Sequence, residues 1–161
     1  MTPLPAIDAR AVDAFWQRAI AADAVPGGGP VPQLVEPFGD SVELADELID
    51  LVLHGPKRAT AAALADHELS GDPVPAVGML SIATDGSGRP RAVLRTTDVR
   101  IGPLSSVDDQ FAWDEGEGDR TRSDWLDSHT GFFQRYLPTI GVQFDRDMST
   151  VFERFEVLYT E

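Results

Sequence analysis

The stretch His54-Gly55-Pro56-Lys57-Arg58-Ala59-Thr60-Ala61 decides how the chain is read. It holds the only lysine; every other residue of the Lys/Arg class is an arginine. Arginine keeps its charge, whereas a buried lysine can shed its proton. A lone lysine is therefore either the survivor of an arginine-biased composition or a group whose proton matters. The residues before it, Ser41 to Leu53, form an amphipathic pattern with Leu44, Leu48, Leu51 and Val52 at helical spacing. Ser41 is placed to cap that helix and Glu43 adds an acid to its first turn. Gly55 and Pro56 stop it. Arg58 to Leu64 then reads as a strand. Alternation sets Arg58 and Thr60 on one face and Lys57, Ala59 and Ala61 on the other. A bulge or turn near Pro56 would bring Lys57 and Thr60 together.

Outward from this centre, Asp8 to Ala22 reads as a helix with Val12, Phe15, Trp16 and Ala19 on its apolar face. Asp8 is a cap candidate, and the Phe15/Trp16 pair reads as packing. Pro26-Gly27-Gly28-Gly29-Pro30 reads as a flexible connector, because its prolines deny it the setting of a phosphate loop. Val31 to Phe38 reads as irregular, and His67 to Val77 as a loop rich in glycine and proline. Gly78 to Thr84, the turn Asp85-Gly86-Ser87-Gly88, and Arg91 to Ile101 form a hairpin pattern. Arg89, Arg91, Arg95 and Arg100 make this the most cationic segment, either as partners of carboxylates or as contacts for a phosphate or base.

Asp109 to Trp113 reads as a short helical turn before Glu115-Gly116-Glu117-Gly118-Asp119. Two glycines among three acids point to a specific backbone path with carboxylates available for acid/base work; the alternative is an exposed loop. Thr121 or Ser123 is expected to cap a helix running to Tyr136, with Trp125, His129, Phe132 and Phe133 near helical spacing. His129 reads as a buried, hydrogen-bonded histidine, and Pro138 ends the helix. Thr150 to Tyr159 is a closing strand with apolar and charged residues mixed on both faces.

Gly55-x-Lys57-x-x-Thr60 after a helix resembles the Gly-x-Lys-x-x-Thr signature of the ASCH domain family. The resemblance continues in Phe38-Gly39-Asp40-Ser41, in the acidic segment Glu115 to Asp119, in Trp125-x-x-x-His129-x-x-Phe132-Phe133 and in Phe152-Glu153-Arg154-Phe155. It implies an α+β, PUA-like β-barrel with flanking helices over 37–161, carrying an N-terminal helical extension and connector over 1–36. It also implies a cleft suited to RNA, a nucleotide or a modified nucleoside. One group of relatives comprises acetylcytidine amidohydrolases using Lys, Thr and Glu. Carried over, these fall on Lys57, Thr60 and Glu117, with Glu115 competing for the acid. Arg58, Glu115, Thr121, Trp125 and His129 are candidates for the substrate-binding wall. Other relatives resemble ribonucleases, and a third possibility is a non-catalytic reader of RNA or nucleotides.

The chain has 161 residues, no cysteine and a formal net charge of -14. One domain with an extension suits that length. Disulfides and thiolate metal sites are excluded. Such an acidic chain as a whole repels a polyanion, so a phosphate-gripping surface would have to be local. No apolar run approaches the roughly 20 residues of a membrane span, and no basic region precedes an apolar core at the N-terminus. A cytoplasmic protein with no membrane partner, no metal and no cofactor is expected. A hydroxyl needs a base to become a nucleophile; the expectation is Thr60 as nucleophile and a neutral Lys57 as its base, which requires burial to lower the lysine pKa.

Overall fold

A computed structural model describes residues 1–161. The helices are α1 (Ala9–Ala21), α2 (Val42–Leu53), α3 (Leu64–Ser70), α4 (Asp109–Glu115) and α5 (Arg122–Tyr136). The strands are β1 (Leu34–Pro37), β2 (Ala59–Ala63), β3 (Leu80–Thr84), β4 (Pro90–Pro103) and β5 (Ser149–Thr160). They form one sheet of order β1-β3-β4-β5-β2. The expected α+β class, flanking helices and N-terminal helix are all present. The chain divides into two compact units, with β4 and β5 contributing to both.

The first unit comprises Met1–Gly55, Gly78–Arg95 and Glu156–Glu161. Asp8 caps α1 by accepting from the backbone N–H of Arg10 and Ala11. Val12, Phe15, Trp16 and Ala19 face a core completed by Val25, Ile82 and Val93. The glycine-rich segment is anchored there, since Trp16 Nε1 donates to Gly29 O at 2.9 Å. Ser41 caps α2 through Leu44 N. The Asp85 carboxylate organises the expected hairpin turn, accepting from Ser87 and Arg89 backbone N–H at 3.0 Å each. Of the cationic segment, Arg91 pairs with Asp85 and Arg95 with Glu156.

Two local expectations are corrected. The segment read as irregular contains β1, paired in parallel with β3 from Leu34↔Ser81 to Pro37↔Thr84. Its buried Leu34 and core-facing Val35 supply the drive, and Pro37 is tolerated because β1 is an edge strand. The loop expected from His67 begins later. Helix α3 includes His67, runs to Ser70 and ends on Gly71 at φ +79°.

The second unit comprises Pro56–Val77 and Thr96–Phe155. Strand β2 pairs antiparallel with β5, from Ala59↔Arg154 to Ala63↔Thr150. Ala59, Ala63 and Phe152 pack with Leu104, Phe111, Trp125, Phe133 and Leu137, so one face of β2 and β5 is covered by α4 and α5. Arg100 pairs with Ser106 and lies 4.2 Å over the Phe152 ring. Helix α4 is longer than expected: it takes in Glu115 as its last residue and stops on Gly116 at φ +70°.

Candidate functional site

Lys57 sits between the end of α2 and the start of β2, and its backbone surroundings are tightly tied. Arg58 N donates to Asp114 O at 2.8 Å, and Arg58 O accepts from Phe155 N at 3.0 Å. These bonds turn Arg58 outward, where it is exposed, and leave Lys57 pointing inward, 1 % exposed. Its Nζ donates to Ala59 O at 2.9 Å, to Glu117 Oε2 at 2.9 Å and to Glu115 Oε1 at 3.3 Å. An ammonium has three N–H donors, and each has a partner here.

The two acids arrive through a corner made possible by glycine. A Cβ on Gly116 would lie 2.8 Å from Lys57 N and 2.8 Å from Pro56 C. With φ at +70°, the position demands glycine on both counts. The corner therefore lies directly against the peptide bond that precedes Lys57. Helix α5 supplies the other wall. Trp125 and His129 are one turn apart, their rings stacked at 3.7 Å and 11°. Trp125 Nε1 donates to Glu115 Oε2. His129 Nε2 faces Glu115 Oε1 at 3.2 Å, and Nδ1 faces Trp125 O at 2.9 Å. Both ring nitrogens thus face acceptors, which suits the protonated imidazole.

The charges settle one another. Burial pulls the Lys57 pKa down, but Glu115 and Glu117 together more than offset it, and the net direction is up. The same contest raises His129, where burial is outweighed by Glu115. Burial pushes Glu115 up, yet His129 and Lys57 hold it well below the usual carboxylate range. Glu117 goes the other way: burial, with the neighbouring Glu115 charge, outweighs Lys57 and pushes it up to about 7. The expectation of a neutral Lys57 is therefore corrected. Two carboxylates on one amine keep it an ammonium, and the group that titrates near neutrality is Glu117. Glu117 is also the member that reaches solvent, with 26 % of its side chain exposed against 2 % for Glu115.

Lys57, Glu115, Glu117, Trp125 and His129 therefore form one connected cluster. Thr121 caps α5 instead, accepting from Asp124 N at 3.2 Å and donating to Asp119 Oδ1 at 2.6 Å. Arg58 turns its guanidinium back to Lys57 O at 2.5 Å. Thr60 lies on β2 opposite Glu153 of β5. Glu115, Glu117 and His129 each offer one ligand atom within 4.8 Å of the others. A metal would require a neutral His129 and would sit against the Lys57 ammonium, so these residues fit an ion-pair cluster better than a metal site. Asp119, exposed and held by Thr121, stands apart from them.

Residues 35–159 match the ASCH domain family. The chain belongs to this family. The ASCH domain is PUA-like, and the family is generally associated with RNA and nucleosides. Its structure is similar to the crystal structure of a protein from Enterococcus faecalis, with a TM-score of 0.81 and 34 % identity, covering 92 % of this chain and 88 % of that one. It is also similar to an ASCH domain from Lactobacillus crispatus, with a TM-score of 0.78 and 27 % identity over 95 % of this chain and 96 % of that one. No protein of curated function shows a significant match. No helix of this ASCH domain is long and apolar enough to cross a membrane.

Proposed function

We propose that this ASCH domain hydrolyses the amide of an acylated nucleoside, with Thr60 as nucleophile, Glu117 as proton carrier and Lys57 as the fixed cation beside it. The observation that carries the reading is the contact between Lys57 Nζ and Glu117 at 2.9 Å, in a carboxyl pushed up to about 7 and open to solvent on one side. A carboxyl titrating there can donate to a leaving amine and then accept from water at neutral pH. The same ammonium bonds the backbone carbonyl of Ala59 on β2, one residue before Thr60.

The alternatives draw less support. A reader of phosphates needs a cation with free donors, but Lys57 is buried with its donors directed at two carboxylates and a carbonyl. The same argument weakens the ribonuclease reading, in which Lys57 would neutralise a phosphate. The exposed end of Glu117 remains to contact an uncharged base or acyl group.

The test is a screen of acetylated nucleosides and short RNAs with wild-type, Lys57→Ala and Glu117→Gln protein. Acetate release without chain cleavage, reduced about a hundredfold or more in Glu117→Gln, is expected. Shortened RNA, or binding with no turnover, would overturn the reading.

A further inference from the structure

Helix α4 turns its two sides to different surroundings. Phe111, Ala112 and Glu115 point inward and are buried. Trp113 lies two residues before Glu115, about 200° from it around the helix axis, and points outward. It is 54 % exposed, whereas Trp16 and Trp125 are buried. A single exposed apolar side chain is ordinary in itself, but this one is built into a support. The Arg120 guanidinium lies over the indole, its Cζ 3.7 Å from the ring centroid. Its Nε and Nη2 both donate to Trp113 O, at 2.9 and 2.8 Å.

Those two bonds satisfy a carbonyl near the end of α4, a capping role in its own right. Other features of the pair go beyond capping. Arg120 holds φ at +64°, where non-glycine residues are uncommon, and its N–H donates to Glu117 O at 3.0 Å. No carboxylate pairs with it, although three acids share its stretch of chain. Glu117 is taken by Lys57, Asp119 by Thr121, and Asp124 by the Asp119 N–H. The guanidinium covers one face of the indole, and no other ring or cation of the chain contacts Trp113. The second face is therefore open to solvent.

We infer that the open face of Trp113 is a stacking platform for a nucleobase, with Arg120 as the positioning residue that fixes the indole from behind. This rests on the proposed function only for the class of ligand; the indole and Glu115 lie on opposite sides of α4. The chemistry of the stack selects what it takes. A guanidinium on one face disfavours a second cation on the other, because both would draw on the same ring quadrupole while repelling each other. A flat, neutral, π-rich ring meets no such penalty, and every nucleobase presents one. The indole is held in advance, so stacking on it loses little side-chain freedom. A net charge of -14 works against a long polyanion. The platform thus suits a free nucleoside or a short single-stranded stretch of RNA.

As the one exposed tryptophan, Trp113 reports on the platform by its own fluorescence. Wild type, Trp113→Phe, Trp113→Ala and Arg120→Gly are titrated with cytidine and with a short single-stranded RNA. Binding is read by calorimetry and, where Trp113 is present, by quenching of its emission. Saturable quenching by at least one probe is expected. Trp113→Ala should weaken binding about tenfold or more, and Trp113→Phe, which keeps an aromatic face, should recover most of that loss. Arg120→Gly removes the side chain at a φ that glycine accepts freely. It should weaken binding about threefold and make Trp113 easier to quench with acrylamide, with a urea transition showing that the fold is kept. Binding of cytidine assigns the platform to free nucleosides, and binding of the RNA alone assigns it to a strand. The inference is overturned if neither probe quenches Trp113, if ribose or tetramethylammonium quenches as strongly as cytidine, or if Trp113→Ala binds within about twofold of wild type. Arg120→Gly binding like wild type would remove the positioning role. Acetate release from acetylcytidine is measured in parallel. Release without quenching removes the platform and leaves the hydrolysis standing; quenching without release does the reverse.

Discussion

Lys57→Met removes the ammonium while keeping a chain of similar length. Three bonds disappear: to Ala59 O and Glu117 at 2.9 Å each, and to Glu115 at 3.3 Å. Breaking a buried ion pair from one side costs about 3–5 kcal/mol, because a charge is left without its partner. The orphaned Ala59 carbonyl adds about 1 kcal/mol, and solvent reaching Glu117 subtracts from the total. We expect a loss of about 3–5 kcal/mol at pH 7, measured by urea denaturation. The sign with pH follows from linkage. Without Lys57, both acids bind protons more tightly in the folded state, so the variant takes up protons that wild type does not. Its deficit should therefore shrink as pH falls from 7 towards 5. A variant within about 1 kcal/mol of wild type at pH 7, with an unchanged pH dependence, would show that Lys57 is not the counter-ion of this pair.

Other outcomes follow from the same geometry. Glu117, raised from 4.5 to about 7, stabilises the fold below its unfolded pKa, and that contribution is lost as pH rises through about 7; Glu117→Gln should remove the corresponding slope, on the order of 3 kcal/mol, from stability curves between those pH values. Glu115 works in the opposite sense, since its lowered pKa contributes stability that disappears as pH falls below its unfolded value, visible as acid destabilisation absent from Glu115→Gln. Gly116→Ala combines a positive φ with a Cβ 2.8 Å from backbone atoms, and should cost about 2 kcal/mol or more in thermal or urea unfolding. Lys57→Arg keeps the charge but offers a planar fork in place of a compact ammonium; it should bind acylated nucleoside and lose most turnover, read as kcat falling with little change in KM.

The ordered motifs made the site legible where a local rule specifies the residue. Gly116 could be placed at a special backbone position from sequence, and the structure gives it a positive φ against the Pro56–Lys57 peptide. Trp125 and His129 shared a helix face by spacing alone, as they do in α5. Charge balance was not legible. Whether burial or the acids would win at Lys57 depends on how many carboxylates reach it, and Glu115 joins only because α4 continues two residues beyond Trp113. Strand β1 was hidden because its pairing with β3 is a contact distant in sequence, and Pro37 within it and Pro32 before it mask the local signal.

The central claim is that the neutral-range proton belongs to Glu117 while Lys57 remains an ammonium. Carbon-13 NMR titration of the glutamate carboxyl groups, with nitrogen-15 detection of the single lysine, tests it most directly. The account predicts a carboxyl midpoint near 7 that is absent from Glu117→Gln, and a lysine that loses its proton only above its ordinary range. A Glu117 midpoint at the ordinary 4.5, or a lysine titrating near neutrality, would contradict it.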